Sequence, residues 1–85
     1  MLNVYLEGDI FIGNRAFKNC KYLSNVYILA SHVTTLGTNV FDNTPITGYG
    51  GKTGYIYVPD NLVNSYKSDT KWSTYADRIR SMNEA

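Results

Sequence analysis

The sequence predicts an α/β repeat fold: a short solenoid fragment of parallel strands closed by a C-terminal helical cap. Three observations predict it. The tetrad Asn3-Val4-Tyr5-Leu6 recurs as Asn25-Val26-Tyr27-Ile28, 22 positions on. The segment after it recurs too, Ile12-Gly13 with Ala16-Phe17 and Asn19 returning as Leu36-Gly37 with Val40-Phe41 and Asn43, 24 positions on. After Val58 the apolar period changes from the two of a strand to that of a helix.

A repeat period in the twenties with one strand per unit is the range of leucine-rich repeats, whose units bury their apolar face only when a neighbour stacks on them. The two offsets differ by two residues, which places a short insertion around Ser31 to Thr34. A third strand, Tyr55-Ile56-Tyr57-Val58, closes the series. The chain then reads as one domain, with residues 1–58 forming about two and a half repeats and residues 59–85 the cap.

Alternation assigns the faces of the strands, because successive side chains point to opposite sides of a sheet. Val4 and Leu6, Val26 and Ile28, Ile56 and Val58 point inward, and Tyr5, Tyr27 and Tyr57 point outward as a tyrosine ladder. Between the strands Ile12, Ala16, Phe17, Cys20 and Leu23 have the spacing of inward side chains in a tight coil. Gly13 and Gly37 fit positions with little room or with positive φ.

In the cap, Pro59-Asp60 can start a helix with Asp60 as N-cap, and Leu62, Val63 and Tyr66 give a short apolar stripe. Trp72, Tyr75, Ala76, Ile79 and Met82 make a second stripe at amphipathic-helix spacing. Such a cover is needed because a terminal coil otherwise exposes its core and an unpaired strand edge. At the other end Met1 to Leu6 runs straight into a strand, which calls for preceding repeats or another pairing partner.

Composition narrows the function classes. A hydrophobic share of 44% and a charged share of 18% belong to a chain that folds around a core. A formal net charge of +1 provides no general pull toward nucleic acid or an anionic membrane. Arg78 and Arg80, the nearest thing to a basic cluster, read as a solvated helix face. No apolar run approaches the roughly 20 residues of a membrane helix, and no export signal opens the chain.

The residues Ile12, Ala16-Phe17, Cys20, Leu23, Val26 and Ile28 resemble the unit of the BspA-type leucine-rich repeats of bacterial surface proteins. Asn43-Thr44-Pro45-Ile46, Ile56-Tyr57-Val58-Pro59, Leu62, Tyr66-Lys67, Trp72, Tyr75-Ala76 and Ile79 resemble the C-terminal end of such arrays. The second unit departs from the pattern, with Thr44 where the cysteine stands and a glycine-rich excursion through Gly48, Gly50, Gly51 and Gly54. The resemblance implies a curved solenoid piece, roles in adhesion and in protein or glycan contact, and no catalytic residue.

Candidate chemistry is sparse. Nucleophilic catalysis needs a nucleophile, a base and an orienting group, and the chain has one histidine, His32, and one cysteine, Cys20. Cys20 reads as an inert core thiol and His32 as a solvated turn residue. No spacing offers the ligands of a zinc site. Gly51-Lys52-Thr53 lacks the earlier glycine of a phosphate-binding loop, since Ile46 stands there, and reads as a flexible turn before a strand. Asn3, Asn25, Asn19 and Asn43 read as turn residues bonding backbone groups.

The tyrosine ladder is the feature above background. Cross-strand aromatic pairs stabilise a sheet by ~0.2–1 kcal/mol each, and tyrosine is also enriched in binding surfaces. Tyr5, Tyr27 and Tyr57 are therefore the candidate contact residues, for protein or carbohydrate. Stacking of single-stranded nucleic acid there lacks a basic groove.

The sequence points to a non-catalytic binding or structural module with no cofactor, the terminal part of a surface or adhesion-type leucine-rich-repeat protein. The alternative is a stand-alone small cytoplasmic binder, for example one encoded by a mobile element or phage, that inhibits a partner or self-associates by its uncapped N-terminal edge. The C-terminal end favours the first, with a cell-surface or secreted location; Met1 without an export signal favours the second.

Overall fold

A computed structural model describes residues 2–8 and 10–84; Met1, Asp9 and Ala85 lie outside them, and with Met1 and Ala85 the outermost positions of the expected first strand and cap. It is a small α/β molecule of parallel strands with a short helix. The strands are β1 (Leu2–Glu7), β2 (Phe11–Ile12), β3 (Leu23–Leu29), β4 (Thr35–Leu36), β5 (Tyr55–Val58) and β6 (Ile79–Ser81), and the helix is α1 (Val63–Ser68). One sheet has the order β1-β3-β5-β6, every pair parallel, and β2 pairs with β4 in a second, two-stranded sheet.

The stretches around Val4, Val26 and Ile56 do run alongside one another. In register, Val4 faces Val26, Val26 faces Ile56, and Ile56 faces Ile79. On the other face of the sheet Tyr5, Tyr27, Tyr57 and Arg80 form the matching row. Glu7 pairs with Leu29 at the 22-residue offset, and Phe11 with Thr35 at the 24-residue one. The two additional residues are thus absorbed between Leu29 and Thr35, where the repeat arithmetic puts them.

Equivalent positions differ in burial. Val26, Ile28 and Phe41 are wholly buried, whereas Val4, Leu6 and Phe17, their counterparts at the sequence offsets of 22 and 24, are only partly so. Ala16, expected inside, is exposed, while its counterpart Val40 has no accessible surface. The reason is positional: the second stretch is packed between the first and the C-terminal segment, and among the described residues the first has a neighbour on one side only. Leu2, Tyr5, Ile10 and Phe11 are exposed on that open side.

The departure at Thr44 costs the core nothing. Thr44 is fully buried, and its hydroxyl donates to the Phe41 carbonyl at 2.8 Å, so no polar atom is orphaned. Gly37 is required by space: a Cβ there would sit 2.6 Å from the backbone nitrogen of Asn14. Gly13 has room for one, and neither glycine has a positive φ, so the two are not equivalent. The left-handed positions outside glycine fall instead on Arg15 (58°), Asn19 (66°), Asn39 (53°) and Asn43 (58°), in pairs at the 24-residue offset.

The cap differs from its expected form. Residues 60–62 are 3₁₀, α1 follows, residues 72–78 are again 3₁₀, and Ile79 to Ser81 leave helical geometry altogether to become β6. The helical stripe through Ile79 and Met82 is therefore corrected. Ile79 is a strand residue filling the core row behind Ile56, and β6 rather than β5 closes the sheet. An unpaired β5 edge offers backbone hydrogen bonds that a free-standing helix does not use, and the alternation of Ile79, Arg80 and Ser81 suits either period. Asp60 caps nothing. The side chain that does is Asp69, whose Oδ1 accepts from the backbone N–H of Lys71 (2.9 Å) and Trp72 (3.3 Å).

The cap is bolted to the insertion. Trp72 Nε1 donates to the Thr34 carbonyl at 2.7 Å, and the Thr34 N–H donates to the Tyr66 hydroxyl at 3.0 Å. That hydroxyl also lies 3.3 Å from Thr34 Oγ1 and 3.4 Å from the His32 carbonyl. Trp72 and Tyr66 are wholly buried and meet edge to face, with ring centroids 5.1 Å apart.

Candidate contact surface on the tyrosine face

Parallel pairing in register brings the three predicted residues together, because strands about 4.8 Å apart hold like positions at ring-stacking distance. The Tyr5 and Tyr27 rings lie 4.7 Å apart at an interplanar angle of 7°, and those of Tyr27 and Tyr57 5.0 Å apart at 16°. Such a stack closes the ring faces on one another. What it shows outward is ring edges and a row of phenol hydroxyls, none of which has a hydrogen-bond partner among the described residues. Tyr5, at the open end, is 64% exposed.

A second row runs beside the first. Asn25 Nδ2 donates to Asn3 Oδ1 at 3.2 Å. Tyr55, the register partner of Asn25, continues the row and carries the Arg80 guanidinium 5.0 Å over its ring. Asn19 and Asn43 form a similar pair in the turns between strands, where Asn43 Nδ2 donates to Asn19 Oδ1 at 2.8 Å. The sequence expectation for these amides is a bond to backbone in turns; their side chains instead bond each other, 22 and 24 positions apart.

Crowding on the ladder changes its chemistry in one direction. The Tyr57 phenol is pushed above its ordinary value, first by the loss of solvent among its neighbours and then by the Tyr27 and Tyr55 phenols, with Arg80 pulling the other way. At neutral pH Tyr57 is accordingly a neutral hydroxyl that both donates and accepts.

No family model, no curated protein and no solved structure matches this chain.

Other residues singled out from the sequence fall into place separately. Cys20 is half-buried against the core, and His32 is exposed in the insertion with its carbonyl turned to Tyr66. Among the described residues no group of three or more His, Cys, Asp and Glu side chains is placed to hold a metal ion. No helix among them is long and apolar enough to cross a membrane.

The two arginines are not a solvated helix face. Arg78 Nη1 donates to the carbonyls of Pro45 (3.2 Å) and Gly54 (3.3 Å), pinning the glycine-rich excursion to the cap, while Arg80 belongs to β6 and the sheet face.

Sequence reading missed one arrangement. Lys52, after the left-handed Gly50 and Gly51, lies with its Nζ 4.9 Å over the Tyr22 ring, and Lys21 lies 5.8 Å over the ring of Tyr49. The signal that finds it is the offset of 30 between Asn25 and Tyr55: carried back to the residues leading into the strands, it sets Tyr22 beside Lys52.

Proposed function

We propose that the chain is the C-terminal part of a leucine-rich-repeat solenoid resembling the BspA-type arrays of surface proteins, a non-catalytic module that contacts protein or glycan through its tyrosine face. The observation that carries this reading is the mismatch of burial between equivalent positions. Val4, Leu6 and Phe17 repeat Val26, Ile28 and Phe41 in kind and register, yet keep one side open. A face that copies an occupied one is complementary to one more unit of the same kind.

The test is a longer chain in which residues 3–24 are duplicated upstream of themselves. The added unit covers β1 and the Phe11 side chain, and each kcal/mol so gained raises the melting temperature by about 4–8 °C. An unchanged or lower melting temperature, with the added unit open to protease, overturns the reading.

Among the described residues β1 is paired along one edge only, which favours a second reading, a small independent binder that meets its partner or its own copy strand to strand. In that case sedimentation of the 85-residue chain gives a dimer, and residue changes on β1, such as Val4→Lys, return it to monomer.

A further inference from the structure

The charged side chains are unevenly spread. From Ile10 to Phe41 the sequence has Arg15, Lys18 and Lys21 and no acid, and from Asn43 to Pro59 it has Lys52 and no acid. Two of these lysines converge where the chain enters β3 and β5, interleaved with aromatic rings. Lys52 lies over Tyr22 and Lys21 over Tyr49, and all four side chains are exposed. A ring beneath an ammonium fixes its position and leaves its N–H donors free on the solvent side. The leading rim of the sheet thus presents two held cations, with the Asn3 and Asn25 amides and the row of phenol hydroxyls on the strands that continue from it.

We infer that this rim and the tyrosine face together bind an acidic polysaccharide, the rim lysines taking its carboxylates and the phenol and amide rows its hydroxyls. The inference rests on the proposed contact role of the sheet face and names the ligand class for it. Charge complementarity selects an anion. Ring geometry then selects among anions: the ladder rings are stacked on one another at 4.7 and 5.0 Å, leaving open the outer face of Tyr5, and Tyr22 and Tyr49 each carry a lysine over one face, so successive bases find no continuous run of open rings. What remains outward, between the Glu7 carboxylate two residues beyond Tyr5 and Arg80 beside Tyr57, is a row of neutral donors and acceptors, which suits a ligand rich in hydroxyls.

The experiment is calorimetric titration of the 85-residue chain with polygalacturonate, using neutral dextran, poly-glutamate and oligothymidylate as comparisons. The expected result is binding to polygalacturonate that weakens with salt, and none to dextran. Lys21→Ala with Lys52→Ala weakens it by about tenfold or more, and Lys21→Arg with Lys52→Arg keeps it. Replacing Tyr5, Tyr27 and Tyr57 together by Phe, which keeps the rings and removes the hydroxyls, weakens binding with the salt dependence unchanged. Thermal unfolding of each variant establishes that it is folded. The inference is overturned by no binding to polygalacturonate, by equal or tighter binding to dextran, poly-glutamate or oligothymidylate, or by folded alanine or phenylalanine variants that bind like the parent. Any of these leaves the unit-duplication result untouched, so the two readings fail separately.

Discussion

Trp72 shows how much one side chain decides in a chain this small. It is wholly buried against Phe41 and Tyr66, and its indole N–H satisfies the Thr34 carbonyl. Trp72→Ala removes the packing and leaves that carbonyl unpaired, for an expected loss of about 3–5 kcal/mol in denaturant unfolding. A change within the error of the measurement would mean that the cap is not anchored there. Arg15 supplies the opposite case. It holds a left-handed φ of 58°, at which a long side chain is strained, and its counterpart Asn39 holds 53° with a residue that tolerates it. Arg15→Asn is expected to stabilise the chain by about 1 kcal/mol, read as a higher denaturation midpoint at unchanged slope.

At the scale of elements, the insertion between β3 and β4 is more than slack. It presents the N–H and carbonyl of Thr34 to Tyr66 and Trp72, so two residues of additional chain create the socket for side chains 32 and 38 positions later. Deleting Ser31 and His32 restores the shorter spacing and withdraws the socket. The expected cost is ~2–4 kcal/mol, the sum of lost buried hydrogen bonds and their packing, although exposed loops usually tolerate such trimming. Hydrogen exchange would place the loss in α1 and residues 72–78 rather than in β1. The turn to β6 belongs to the same scale: residues 72–78 make one irregular 3₁₀ segment, and the chain then spends Ile79 to Ser81 on the β5 edge.

For the molecule as a whole, the tyrosines set an upper limit of pH. Burial raises the Tyr57 and Tyr75 phenols above their ordinary value, with the Tyr27 and Tyr55 phenols adding to it at Tyr57 and Asp42 at Tyr75. A raised pKa in the folded state means that folding favours the protonated form. The contribution is therefore fully present below the unfolded value near 10 and is lost as the pH rises through the folded one. Alkaline unfolding is expected to coincide with tyrosinate absorbance, and Tyr75→Phe is expected to move the midpoint upward in pH. An unmoved midpoint would assign alkaline sensitivity to other groups.

How legible these features were depended on how local their causes are. The sequence by itself determined the parallel partners of β1, β3 and β5, the outward row of Tyr5, Tyr27 and Tyr57 and the place of the two-residue insertion, because a repeat copies both period and spacing and a period of two fixes which face each side chain takes. Only the tertiary structure decided the form of the cap and the partners of Thr34. It decided too the closing of the ring faces on one another and the interleaving of Lys21 and Lys52 with Tyr49 and Tyr22. Those follow from which strand edge and which buried carbonyl remain once β1, β3 and β5 have paired, and hydrogen bonding between distant segments then outweighs the local preference that made Ile79 look like part of a helix.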